Sequence, residues 1–331
     1  MEKYDVYGVG NALVDTEYEV HDKFLADADL PKGMMTLIEA EERKKLIWLL
    51  EEEPEHEVIK LAGGGSAANT IVAIAQFGGR TFYSCKVASD EKGDFFMHDL
   101  KDAGVSTNLD NGREPGVTGE CISMVTPDAE RTMTTCLGIT QDLSPNELVP
   151  DALKNSTYLY IEGYLVSSPS GFQAALEAQK IALDNGVSVS LTLSDPAMVD
   201  NFKTAFDELI GNGVDLLFCN EEEARLWTGK ESRDEVVETM RKACPKFAIT
   251  CGKEGALVCD GNEVTMVEGV PAKAVDTTGA GDMFAGAFLY AICNGSTFPE
   301  AAALANRSAA LLVTNFGARL TPEDVRTKLA S

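Results

Sequence analysis

The chain has 331 residues, 44% of them hydrophobic, which is enough for one large domain with a small satellite. Its 28 Lys and Arg against 53 Asp and Glu give a formal net charge of -25. That field repels a nucleic-acid polymer but leaves room for a small anion held by backbone N–H groups. The eight cysteines form no C-x-x-C and several lie in apolar runs, so they read as free thiols of a reduced, cytoplasmic protein. The start "MEKYDVYGVG" runs straight into a strand pattern, so no signal peptide is expected, and no apolar run is long enough to span a membrane.

In chain order, "YDVYGVG" is a strand ending in glycine, and "EVIKLAGGGSAANTIVAIAQFGG" reads as strand, glycine turn and helix. "RTFYSCKVAS" follows as a strand and "DEKGDFFMHDLKDAG" as a helix. Later strands are expected at "STYLYIEGYLV", "GVSVSLTLS", "VDLLFCN", "KFAITCG" and "GALVCDG", mostly separated by helices such as "GFQAALEAQKIALDNG" and "RDEVVETMRKAC". This alternation predicts an α/β fold with a central, mostly parallel β-sheet flanked by helices. Two segments break the rhythm, one containing "LPKGMMTLI" and one alternating like a β-hairpin around "TPDAE". The expected division is a large α/β domain of residues 1–15, 58–111 and 139–331, with a small β-rich lid of residues 16–57 and 112–138.

Chemistry concentrates in "DTTGAGDMFAGA", residues 276–287. The turn Gly279-Ala280-Gly281 opens a helix whose free N–H groups and positive dipole end suit an anion. Asp282, in the first helical turn, would be an ordinary first-turn acid or a base that takes a hydroxyl proton beside those donors. Near the N-terminus, Asn11 and Asp15 of "GNALVD" can hydrogen-bond a diol. Leu13 stands where a dinucleotide fingerprint would need its third glycine. His21, His56 and His98 are widely spaced in polar surroundings and read as surface residues rather than a metal centre.

Taken together, "DTTGAGD", "GGGSAAN", "CNEEEARLWTG", "TCGKEGALV" and "ANRSAALLVTNFGA" resemble the ribokinase/PfkB carbohydrate and nucleoside kinase family over nearly the whole chain. The resemblance implies a ribokinase-like fold and an ATP- and Mg2+-dependent phosphotransferase with an alcohol acceptor. It makes Asp282 the base, with the N–H groups of Ala280, Gly281 and Asp282 as the anion hole beside Gly279. It places Gly64, Gly65 and Asn69 against the substrate's sugar and Asp15 on two ribose hydroxyls. Asn220 and Glu223 match its N-x-x-E motif near magnesium, acting largely through water. Thr250 and Gly252 fall at the triphosphate, Gly255 in the adjoining turn, and Asn306 beside the base of ATP. Whether Lys253 meets phosphate or solvent stays open. A potassium site from Asp276, Thr278 and the loop at Gly317 is its weakest implication.

"GNALVD" and "ERTMTTCLG" resemble the adenosine kinase branch of that family. There Arg131 corresponds to an arginine near the transferred phosphate and Met133 to an apolar lid residue, with Leu13 and Tyr164 or Leu165 completing a purine slot. Arg131 as a surface partner of Glu130, Leu13 and Met133 as plain core, and Glu130 or Glu162 as partners of a polar sugar are the competing readings. The expected substrate is adenosine, giving AMP and ADP. A sugar kinase acting on ribose, fructose or 2-keto-3-deoxygluconate, an inosine/guanosine kinase and a non-catalytic nucleotide sensor are the alternatives. Both a monomer and a homodimer are compatible with the resemblance.

Overall fold

The structure, a computed structural model, describes residues 3–53, 56, 58–127 and 131–329. Its strands are β1 (Tyr4–Val9), β2 (Leu13–Glu19), β3 (Met35–Leu37), β4 (Val58–Gly64), β5 (Thr81–Ser84), β6 (Ser106–Thr107) and β7 (Gly119–Val125). They continue with β8 (Arg131–Cys136), β9 (Ser156–Ile161), β10 (Ser188–Thr192), β11 (Leu216–Asn220), β12 (Lys246–Thr250), β13 (Gly255–Asp260) and β14 (Val264–Glu268).

Short β-branched and aromatic runs buried on both faces form the larger sheet, as strands covered on both sides must. Its order is β14-β13-β12-β11-β10-β9-β1-β5-β6. All pairs are parallel except β12–β13 and β13–β14 at one edge. Helices Pro169–Asp184, Pro196–Gly213 and Arg233–Ala243 pack on one face, around Val189, Leu191, Leu217 and Phe247. Helices Ser66–Gln76, Glu91–Asp102, Ala280–Cys293 and Phe298–Leu312 pack on the other, around Val6, Tyr83 and Phe218. Strand β1 lies between β5 and β9, where successive connections leave in opposite directions. A crevice opens beyond the strand ends at such a reversal.

Helices Ser66–Gln76 and Ala280–Cys293 touch closely: a Cβ at Gly286 would lie 2.7 Å from Ala73 Cβ and 2.8 Å from the Thr70 carbonyl oxygen. Their N-terminal ends, each preceded by glycine, are thereby brought to the crevice together.

The second sheet runs β3-β8-β7-β2-β4. Strands β7 and β8 form the expected antiparallel hairpin; residues 128–130, where its turn is expected, lie outside the described residues. The alternating burial of β2 marks a two-faced strand. Tyr18, Ile122 and Met124 of the outer face pack on Phe24, Leu25, Leu46 and Leu50 from helices Asp22–Asp27 and Ala40–Glu52. The inner face turns Leu13, Asp15, Cys121 and Thr135 toward the crevice.

Three details differ from the sequence reading. Val58–Gly64 is an edge strand of the smaller sheet, paired with β2 from Leu13↔Gly64 onward. Its apolar Val58, Ile59 and Leu61 resemble a buried strand but lie exposed. Residues 16–57 carry two helices beside the short β3, since Glu39 and Glu42 build a capping box ahead of "AEERKKLIWLLEE". His56 is buried against the Phe24 ring, 4.7 Å between centroids, and so is not a surface residue; His21 and His98 are exposed. The eight cysteines are unbridged, and among the described residues no helix is long and apolar enough to cross a membrane.

Candidate active site

A cavity of about 710 Å3 lies beyond the C-terminal ends of β1, β9, β10, β11 and β12 and beneath the inner face of the smaller sheet. Asn11, Leu13, Asp15, Gly65, Asn69, Tyr164, Leu165, Asn220, Glu223, Thr250 and Thr278–Asp282 all line it. One cavity therefore collects residues from six segments that the sequence scatters over most of the chain.

At its floor, Gly279 adopts φ 75 and starts the helix Ala280–Cys293 without a side-chain cap. The Ala280 N–H turns back to the Thr277 carbonyl at 3.2 Å. The N–H groups left free to meet an anion at this terminus thus reduce to those of Gly281 and Asp282, fewer than the three expected. Asp282 is held from both sides: Ser66 Oγ donates to Oδ1 at 2.6 Å and Asn69 Nδ2 to Oδ2 at 3.0 Å. Desolvation lifts its carboxyl to about 6, against the pull of those two donors and of the Arg319 charge. At neutral pH such a group is ionised yet close to accepting a proton, the poise a general base needs.

On one side of Asp282, Asp15 reaches in from β2 and is likewise lifted to about 6 by burial, opposed by Arg319, Lys60 and Arg131. Gly64 lies directly against it: a Cβ there would meet both carboxylate oxygens at 2.6 Å, so only glycine lets the β4 backbone pass. Asn11 is oriented by donating Nδ2 to Glu162 Oε1 at 2.8 Å, while its Oδ1 accepts from Thr140 Oγ1 at 3.3 Å. The other Glu162 oxygen accepts the Ala67 N–H at 2.8 Å, at the start of the helix Ser66–Gln76. Burial raises the Glu162 carboxyl to about 7, despite those hydrogen bonds. Glu162 thus holds Asn11 and a helix terminus. Among the competing readings of the sequence it is a partner of a polar sugar, and it does line the cavity. Leu13, Leu37, Leu137, Leu165 and Phe202 give this half of the cavity an apolar wall, with Tyr164 beside them.

On the opposite side, Asn220 and Glu223 make a reciprocal capping box at the helix Glu221–Thr228. Asn220 donates its backbone N–H to Oε2 at 2.9 Å and Nδ2 to Oε1 at 2.6 Å. Burial raises the Glu223 carboxyl to about 7, with Asp195 and Glu222 adding to the rise and the Asn220 N–H opposing it. A hydrated divalent cation beside this carboxyl would offset its desolvation. Each oxygen accepts one bond from Asn220 and keeps a lone pair that a water on such a cation could donate to. Among the described residues no group of three or more His, Cys, Asp and Glu side chains is gathered to ligate a metal directly.

Thr250 lines the cavity, whereas Gly252 (φ 55) and Gly255 (φ 107) shape the turn into β13 outside it, with Lys253 exposed at its tip. Asn306 is buried away from the cavity: its Nδ2 donates to the Val267 and Glu268 carbonyls at 3.1 Å each, tying its helix to β14. Met133, also expected at the cavity, does not line it; Cys121 and Thr135 take that wall of the smaller sheet. Arg131 is bonded to Glu17 and donates to Asp276 Oδ2 at 2.7 Å, with Phe316 5.9 Å beneath its guanidinium. It joins the smaller sheet to the loop ahead of the Gly279 turn. Glu130, its other suggested partner, lies outside the described residues.

Asp276, Thr278 and Gly317 do converge, but as a closed knot. The Asp276 carboxylate accepts the N–H groups of Thr278 and Gly317, both at 2.9 Å, as well as the Arg131 guanidinium. These donors hold it below the usual carboxylate range despite burial. A guanidinium already supplies the positive charge there, so the arrangement does not fit a potassium ion.

A profile described as pfkB family carbohydrate kinase matches residues 33–325. The chain belongs to that family. It is an ATP-dependent phosphotransferase of the pfkB type, with the ribokinase-like α/β fold and its smaller β-rich sheet. The solved adenosine kinase from Sinorhizobium meliloti is 35% identical and covers 100% of both chains, with a TM-score of 0.86. A probable sugar kinase from Rhizobium etli is 33% identical over 98% of each chain, also with a TM-score of 0.86. The ribokinase of Haemophilus influenzae is 29% identical over 78% of this pfkB chain and 84% of its own length. An adenosine kinase from Schistosoma mansoni, at 23% identity and a TM-score of 0.80, shares the fold.

Proposed function

We propose that this pfkB kinase transfers the γ-phosphoryl of ATP to the 5'-hydroxyl of a ribonucleoside, with adenosine as its preferred acceptor and AMP and ADP as products. The observation that carries this reading is the composition of the acceptor half of the cavity. A diol-binding set, Asn11 and Asp15, sits next to an apolar wall of Leu13, Leu37, Leu137, Leu165 and Phe202. A ribose joined to a flat base needs both halves, whereas a free sugar needs polar partners all round. The end-to-end likeness to the Sinorhizobium meliloti adenosine kinase supports the same substrate.

In this mechanism Asp282 removes the acceptor hydroxyl proton as the oxygen attacks, and the N–H groups of Gly281 and Asp282 stabilise the transferred phosphoryl oxygens. Mg2+, when bound with ATP, supplies positive charge to the phosphates, with Asn220 and Glu223 holding it through water. Asp15 and Asn11 fix the ribose so that its hydroxyl faces Asp282. The smaller sheet, roofing the cavity as a lid, limits hydrolysis by excluding water. The likeness to a probable sugar kinase from Rhizobium etli and to a ribokinase keeps a free sugar as the second reading.

The test is ADP release with adenosine, inosine, guanosine, ribose, fructose and 2-keto-3-deoxygluconate as acceptors. The expected order puts adenosine first. Background turnover with adenosine alongside catalysis on a free sugar would overturn the nucleoside reading.

A further inference from the structure

Arg319 lies in the loop after the last long helix, in no motif, 250 residues from the asparagine it bonds. Its Nε donates to Asn69 Oδ1 at 2.8 Å and its Nη1 to Asp99 Oδ2 at 2.5 Å. Asn69 in turn donates Nδ2 to Asp282 Oδ2 at 3.0 Å. The guanidinium therefore decides which way the Asn69 amide faces. An oxygen turned toward Arg319 leaves the NH2 group for the base. Asp99 fixes Arg319 from the far side, on the helix Glu91–Asp102. The neighbouring Ala318 packs on the anion-binding turn: a Cβ at Gly279 would meet it at 2.7 Å.

Two further observations argue against a merely structural arginine. Its Nη2 is buried with no hydrogen-bond partner among the described residues. An unsatisfied buried donor costs about 1–3 kcal/mol, which an anchor selected for stability alone would avoid. Its charge also acts on both carboxylates of the acceptor side, opposing the burial that raises Asp15 and Asp282.

We infer that Arg319 is a positioning residue for phosphoryl transfer: through Asn69 it orients the donor that holds Asp282, and its guanidinium sets a positive charge behind that donor. This rests on the reading of Asp282 as the base. The other groups facing Asp282 are Ser66 and Asn69 from one helix, Asp15 from β2, and Tyr160, Glu162 and Tyr164 from β9 and the turn after it. Lys60 and Arg131 act on Asp15 from the smaller sheet. None of these cations bonds to the Asp282–Asn69 pair among the described residues, which leaves that task to Arg319.

The experiment compares the pH profiles of kcat for the native protein, Arg319→Gln and Arg319→Lys on the acceptor that supports turnover, with thermal unfolding and ATP binding measured alongside. Arg319→Gln removes the charge, so the acid limb should move to higher pH by half a unit or more, with kcat down at least tenfold and ATP affinity kept. Arg319→Lys keeps the charge but loses the two-pronged geometry, so kcat should fall while the acid limb stays. An unmoved limb in Arg319→Gln, or native kcat in Arg319→Lys, would overturn the inference; if the Gln variant does not fold, the Lys variant alone decides. Asp282→Asn separates the two readings: substantial turnover in it sinks the base assignment, whereas its inactivity beside an indifferent Arg319→Gln sinks only the role of Arg319.

Discussion

Asp282→Asn should remove turnover and, at the same time, stabilise the protein without substrates. Folding places this carboxyl where its neutral form is favoured, lifting it from an ordinary 3.8 to about 6. The folded chain therefore holds that proton more tightly than the unfolded chain does. The resulting stability is fully present below the unfolded value and is gone once the pH has risen through about 6. At about 1.4 kcal/mol per tenfold change in proton affinity, the charged form at pH 8 costs up to about 3 kcal/mol. Solvent in the cavity trims this, so about 1–3 kcal/mol is the expected gain from the neutral isostere. Asparagine keeps the local bonds, since its oxygen can accept from Asn69 Nδ2 while its NH2 donates to the Ser66 hydroxyl. For a chain of this length 1 kcal/mol moves Tm by about 1–2 °C. Differential scanning calorimetry at pH 8 should then show the variant melting about 2–4 °C higher, with the two proteins converging near pH 4. A variant that melts no higher at pH 8, or whose advantage does not change with pH, would refute the assignment of a burial-raised carboxyl.

Three further outcomes are expected. Asp15→Asn should lower kcat/KM for the acceptor by about 100-fold while leaving the KM for ATP within about twofold, because it alters only the diol contact. Arg131→Gln cuts the bond between the smaller sheet and Asp276, so ATP hydrolysis without acceptor should rise relative to transfer, read as ADP formed per phosphorylated product. With Asp276 occupied by Arg131 and two backbone N–H groups, replacing K+ by Na+ should change kcat by less than about twofold, and strict potassium dependence would show that this knot opens during turnover.

Local chemistry made much of this molecule legible. Glycine turns before helices, the first-turn Asp282 and the spacing of Asn220 and Glu223 are short-range patterns, and they converge on one cavity. The hairpin of β7 and β8 was equally readable from its alternation. What escaped depends on partners far apart in the chain. Arg319 carries no local signal because its meaning comes from Asn69 and Asp99, 250 and 220 residues away. Glu162 looked available for a ligand until folding gave it Asn11 and the Ala67 N–H. Asn306 was expected beside the base of ATP, but its own amide faces β14. Val58–Gly64 could be read as a strand without showing which of two sheets would take it, since pairing is decided by tertiary context.

The bare surface of Gly286 has a reach beyond its own neighbours. It allows the helix bearing Asp282 to rest on the helix bearing Ser66 and Asn69, about one turn below Asp282 itself. An added methyl would act as a wedge at that pivot, and its displacement would be felt as a longer reach between base and tether. Variation at this solvent-free position, remote from either reactant, should therefore register in the speed of the chemical step before it registers in affinity for substrate. Mid-helix spacers of this kind make catalytic distance a property of how two rods are stacked.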